Sequence, residues 1–150
     1  MTLIPLDNIV LLALVLAAAC FDAKKGIIPN KLVLAGFAFL AILMLIEPSW
    51  PQALHRFYGF LAGGGSVLLI ILMTRGGMGA GDLKLMALIG AFVGARLALS
   101  VLLLAVVLAG IYAAVLLALK QTTLKSKLAF APYIAAALFA VVFFYHIGLS

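Results

Sequence analysis

The sequence predicts an all-α fold: a polytopic membrane helix bundle of about six transmembrane helices, the fourth of them short. Composition is the first observation behind this. Of 150 residues, 68% are hydrophobic and 9% charged, and the mean hydropathy is +1.38, whereas a soluble domain carries about 25% charged residues. Such a chain has no surface to offer water. The second observation is that the apolar residues form continuous runs instead of alternating, which selects helices over a transmembrane barrel. The third is that short polar or glycine-rich stretches cut these runs into pieces of bilayer length. One membrane-embedded domain over residues 1–150 follows.

Taken in order, Leu3 to Phe21 is a first span, long enough to cross about 30 Å of hydrocarbon at about 1.5 Å per residue. A polar loop, Asp22 to Lys31, comes next; Ile28 before Pro29 favours extended backbone, and Asn30 is placed to cap the following helix. Leu32 to Ile46 is a second span. Glu47-Pro48-Ser49-Trp50-Pro51 forms a turn, with Trp50 suited to the membrane interface. Leu54 to Met73 is a third span, whose Gly63-Gly64-Gly65 lowers helix propensity and invites close approach of another helix. Gly76 to Asp82 is a glycine-rich turn. From Leu83 to Leu119 the sequence is apolar almost throughout, and one helix of that length would be about 55 Å long. It must break, and Gly94-Ala95-Arg96 is where glycine and charge coincide. The result is a short fourth span, Leu83 to Val93, and a fifth, Leu97 to Leu119. Beyond a polar loop, Lys120 to Lys127, the sixth span runs from Leu128 to Tyr145, with Ala131-Pro132-Tyr133 near its start.

Charge sets the orientation. The net charge of +6 reports topology and contact with anionic lipid here, not nucleic acid. With six spans and the first loop inside, Lys24, Lys25, Lys31, Arg75, Lys84, Lys120, Lys125 and Lys127 all fall inside, and only Arg56 and Arg96 outside. Five spans would move the last lysine cluster outward. Both termini are therefore expected outside, and the short fourth span calls for local thinning or tilt of its neighbours. His55 and His146 fall near the outer face and read as interface residues; Tyr58 and Tyr133 read likewise as interfacial or packing residues. The single Cys20 excludes an intramolecular disulfide and a multi-cysteine zinc site. Leu16 to Cys20 is not a lipoprotein cleavage box, since no basic n-region precedes it. No metal or cofactor is expected.

The chain has four acidic residues. An acid entering an apolar span costs a few kcal/mol and is functional by default. Asp22 and Asp82 are the two placed at one membrane face, the inner one; Asp7 and Glu47 belong to the opposite face. Two carboxylates sharing one water can hydrolyse an amide, the ionised one taking a proton from water and the protonated one donating to the carbonyl oxygen. Like charge and partial burial push the two titrations apart. The glycines before Asp82 let a substrate backbone approach closely. Simpler roles stand beside this one: Asp82 as a helix N-cap, Asp22 as a solvated helix-end residue balanced by Lys24 and Lys25. Lys84 is either a substrate or lipid-phosphate anchor or a snorkelling lysine. Gly77-x-Gly79-x-Gly81 lacks the preceding strand and the spacing of a nucleotide loop.

Asp22 with Ile28-Pro29-Asn30-Lys31, and Gly79-Ala80-Gly81-Asp82-Leu83-Lys84-Leu85 followed by Gly90 and Gly94, closely resemble the type IV prepilin peptidases, membrane aspartic proteases with a GxGD motif. Ala131-Pro132-Tyr133 is similar to that family's sixth-span proline region. The resemblance implies that Asp22 and Asp82 are the catalytic pair, that Gly79, Gly81, Lys84, Pro29 and Asn30 support the motif or the substrate, and that no metal takes part. It implies cleavage of the short basic leader of pilin-like precursors at the cytoplasmic side of the bacterial inner membrane. Large members carry an N-terminal domain with a four-cysteine zinc site, associated with methyl transfer. This chain opens directly on its first span, so the resemblance is to short stand-alone members such as those of tight-adherence (Flp-type) pili, and methyltransferase activity is not expected. A precursor helix would dock laterally, and a gap near Gly63–Gly65 and the break after Met73 are expected to help admit it. A non-catalytic scaffold or transport subunit of a secretion system is the alternative, with the aspartates as caps or proton sites.

Overall fold

A computed structural model describes residues 6–46, 48–74, 78–120 and 129–148, the last three by backbone only. Residues 1–5, Glu47, Arg75, Gly76, Gly77, residues 121–128 and 149–150, and the Leu6 and His146 side chains lie outside the described residues, and with them the expectations placed there, the start of the first span at Leu3 included. Six helices and no strand are found among the described residues: α1 (Leu6–Lys25), α2 (Asn30–Ile46), α3 (Trp50–Met73), α4 (Ala80–Val93), α5 (Ala95–Ala118) and α6 (Ala131–Gly148). Of these, α3 and α5 are long and apolar enough to cross a membrane by length and composition, and α2 is a shorter apolar helix.

Three boundaries differ from the sequence reading. α1 continues through Asp22 to Lys25 because Ala23, Lys24 and Lys25 are good helix formers and lysines suit a helix C-terminus. It stops at Gly26, whose φ of 64° no β-branched residue would hold and whose N–H donates back to the Asp22 carbonyl at 2.7 Å, an αL termination. α3 begins at Trp50, with Pro51 in the first turn, where its missing N–H costs nothing. α6 begins at Ala131 rather than Leu128, again with proline in the first turn.

The short helix α4 is the centre of the bundle. Leu85, Met86, Ala87, Leu88, Ile89, Gly90, Ala91 and Phe92 are all buried, so it is apolar on every side and covered on every side. α3 crosses it most intimately. A Cβ at Gly59 would run into the Gly90 carbonyl, and one at Gly63 into the Met86 carbonyl; Gly64 sits on Ala87. Small residues thus let two backbones touch, as expected for Gly63 and Gly64. The same contact overturns the expectation of a gap: the space beside Gly63 and Gly64 is filled by α4, and of that triplet only Gly65 faces open space. On the other flank Leu88 fills the notch at Gly36 of α2.

The break between α4 and α5 falls at Gly94, as predicted. Its φ is 84°, its N–H donates to the Gly90 carbonyl at 2.8 Å, and the His55 ring lies where a side chain would stand. α6 packs against α1 and α5. The outward faces of α3, α5 and α6 carry Leu72, Leu103, Ile111 and Phe144, all exposed.

Candidate active site

The two motif halves identified in the sequence meet at one end of α4. Ile28, in the corner between α1 and α2, is buried against Gly81, where a side chain would stand 3.2 Å from its Cβ. Lys84 Nζ, one turn further on, donates to Asn30 Oδ1 at 3.0 Å. Asn30 opens α2, and the Pro29 carbonyl accepts from Leu32 N–H at 3.0 Å. The corner that follows Asp22 is therefore seated directly on the turn that carries Asp82.

Asp82 is the third residue of α4, with Gly79 at the N-cap position. Its Oδ2 accepts from the Gly79 N–H at 3.2 Å, the reaching-back half of a capping box. It is thus not the N-cap that the simpler sequence reading allowed. Its other oxygen, Oδ1, is buried and has no hydrogen-bond partner among the described residues. A buried carboxylate oxygen that makes no bond to the protein is available to water or substrate.

Asp22 lies in the last turn of α1, at the end of the helix dipole that disfavours an anion. The compensation comes from α6. Asp22 Oδ2 accepts from the Ala131 N–H at 3.0 Å in a buried bond, and this N–H is one of the free donors at a helix start, where negative charge is favoured. Each aspartate retains 8% exposure, and they are the two charged residues of the buried core among the described residues. They are also within electrostatic reach of each other. Asp82 stands ahead of the apolar run that begins at Leu83. Burial first, and then the neighbouring Asp22 charge, push its pKa from 3.8 up to about 6, against the lowering effect of the Gly79 N–H.

Of the residues singled out in the sequence, Asp22, Asp82, Gly79, Gly81, Lys84, Pro29 and Asn30 all gather here. Lys84 engages Asn30, which was not foreseen. Ala131 and Ile28 escaped notice as site residues. A proline in the first turn of an apolar helix marks free N–H groups, and that signal pointed to Ala131. Ile28 was read only as part of the Ile28-Pro29-Asn30-Lys31 stretch, and no local pattern showed that it would pack on Gly81. Among the described residues no group of three or more His, Cys, Asp or Glu is placed to hold a metal ion, and Cys20 is free and exposed.

A helical bundle that brings two buried carboxylates together from different helices, one oxygen left open, defines a paired-acid site. Comparison with known proteins gives the family: the type IV leader peptidase family model matches residues 9–114, a stretch that contains both aspartates, and the chain belongs to that family. Among curated proteins it is similar to a prepilin leader peptidase/N-methyltransferase of Bacillus subtilis (strain 168), 32% identical over 130 residues, covering 85% of this chain and 51% of that protein. A protein of the same name from Pseudomonas putida is 29% identical over 127 residues, covering 81% of this chain and 44% of its own length. The chain thus spans about half the length of the curated relatives it matches. No solved structure matches it.

Proposed function

We propose that this chain is a membrane aspartic endopeptidase that removes the short basic leader from type IV pilin-like precursors at the cytoplasmic face of the bacterial inner membrane. The observation that carries this reading is the pair itself: two buried carboxylates in electrostatic contact, with Asp82 Oδ1 lacking a partner. Family membership and the prepilin peptidase names of the relatives support it, as do the apolar α3 and α5 and the apolar outer faces of the bundle. The lysine distribution supports an inward-facing site in a multi-pass bundle.

The roles divide by environment. Asp22, oriented by the Ala131 N–H, is the base and takes a proton from the hydrolytic water. Asp82, shifted upward, holds the shared proton and gives it to the scissile carbonyl oxygen as the water oxygen bonds to the carbonyl carbon. Collapse of the tetrahedral adduct breaks the C–N bond and returns a proton to the leaving amine. Gly79 leaves room for the Asp82 carboxylate and Gly81 for Ile28, the contact that seats the corner on the turn. Lys84, Asn30 and Pro29 support the corner behind the pair. Leader removal is assayed with a precursor in detergent or vesicles. Asp22→Asn and Asp82→Asn should each lower the rate by about 10²–10⁴-fold while leaving membrane insertion intact. A normal rate in either variant would refute the peptidase and favour a scaffold.

A further inference from the structure

A cavity of about 540 Å³ lies at the opposite end of the bundle, between the start of α1, the end of α2 and the start of α3, far along α1 from Asp22. We propose that it binds the phosphate headgroup of an anionic membrane lipid. Its size is that of a small-molecule site. One wall is apolar, formed by Phe39, Leu43 and Ile46 of α2, with Trp50 at the rim. The facing wall is polar. Ser49, Ala53 and Arg56 line it and share one face of α3 by their spacing of four and then three.

Two of these groups lack hydrogen-bond partners among the described residues. Ser49 stands at the N-cap of α3, yet its hydroxyl makes no capping bond. Pro51 has no N–H to offer, and Ser49 Oγ is left buried without a partner. Arg56 Nη1 is likewise buried and unpartnered, although Asp7 lines the same cavity. A buried guanidinium N–H without a protein acceptor calls for an anion, and phosphate is the anion its fork fits best. The α3 N-terminus adds favourable field for an anion. Asp7 and Gln52 at the same cavity suit the hydroxyls of a glycerol-type headgroup. The exposed Ile46 and Trp50 continue the apolar wall to the outside of the bundle, where acyl chains would lie. The lipid source rests on the membrane placement proposed above; the phosphate-binding chemistry does not.

The test uses the full chain in a maltoside detergent, titrated with phosphatidylglycerol and read by native mass spectrometry and by thermal shift. Wild type should retain lipid and gain in Tm. Arg56→Gln should weaken retention about tenfold, the loss of a charge-assisted contact. Ser49→Ala should weaken it less, and Arg56→Lys should fall between, keeping charge without the fork. The last two carry the test if Arg56→Gln does not fold. Asp82→Asn should bind lipid as wild type does while losing leader removal, so failure of the peptidase reading and failure of this one give different results. Equal retention by wild type, Arg56→Gln and Ser49→Ala would overturn the site. Equal stabilisation by inorganic phosphate alone would overturn the lipid as its occupant.

Discussion

The two ends of α4 are held in opposite ways. At the Gly90–Gly94 end the helix is fixed by backbone lying on backbone: Gly59 against Gly90, and the His55 ring against Gly94. Glycine meets glycine there, and an imidazole ring fills the place of a side chain. At the Ala80–Asp82 end the helix is fixed by a few polar ties, Asp82 to Gly79 and Lys84 to Asn30, around a buried oxygen with no partner. The glycine end is a rigid post, and the polar end is where chemistry is exposed. The arrangement fits a site that must hold a carboxylate still while leaving one face of it free.

The sharpest way to break this contrast is to put side chains at the post. Gly59→Leu or Gly90→Val should prevent folding or cost more than about 3 kcal/mol, because the added atoms meet backbone that has no rotamer to yield. Gly65→Ala is the matched control: nothing stands near its Cβ position, so helix propensity alone should raise stability by up to about 1 kcal/mol. Chemical or thermal unfolding in detergent reads all three. If Gly90→Val unfolds like wild type, the backbone contact is not what fixes α4.

At the polar end the prediction concerns pH. Asp82 has its pKa raised to about 6 in the folded state against 3.8 for the ordinary group. The folded protein therefore binds the proton more tightly than the unfolded chain. The Asp82 contribution to stability is most favourable below about pH 4, falls as pH rises between the two values, and levels off above about 6. The cost above pH 6 is on the order of 2–3 kcal/mol. Asp82→Asn removes it, so the variant should be more stable than wild type at pH 8 and match it near pH 4. Leader removal by wild type should decline as pH rises through about 6, because the donated proton is lost. A pH-independent difference in Tm between the two proteins would show that Asp82 is not strained by burial and by Asp22.

Much of this architecture was legible before any coordinates. The break at Gly94 was readable because a glycine and a charge interrupt an apolar run too long for one bilayer, and the nearness of Asp22 to Asp82 was an expectation from lysine placement, in keeping with their electrostatic interaction. What could not be read is what depends on distance between helices. Gly63 and Gly64 signal close approach, but not whether the approach is already taken by α4, so they were wrongly assigned to a substrate gap. The α1 boundary slipped because Asp22 to Lys25 is polar yet has good helix propensity, and hydropathy marks the membrane rather than the end of a helix. The Ala131 N–H joins a residue 109 positions away, a pairing invisible to any local pattern.

A smaller effect tests the hinge of the post. Gly94→Ala must hold a φ of 84° and displace the His55 ring. It should cost about 1–2 kcal/mol. His55→Ala in the same chain should recover only the part due to crowding, since the backbone strain remains. Full recovery would place the whole cost in the ring contact.

The smallest effect is at the Lys84–Asn30 tie. Both residues are exposed, and a single hydrogen bond of this kind is worth about 0.5–1 kcal/mol. Lys84→Met and Asn30→Ala should each lower stability by that amount at most, and the double variant should cost no more than the larger single one, because both remove the same bond. Their effect on leader removal should be larger than on stability. The tie joins the corner after Asp22 to the helix of Asp82, so loosening it changes the spacing of the two carboxylates, to which proton transfer is steeply sensitive. The rate should fall in kcat with little change in KM, and Lys84→Arg should restore part of it. Additive losses in the double variant, or a change confined to KM, would mean that Lys84 meets the substrate itself and that the polar end is tied together by Ile28 on Gly81 alone.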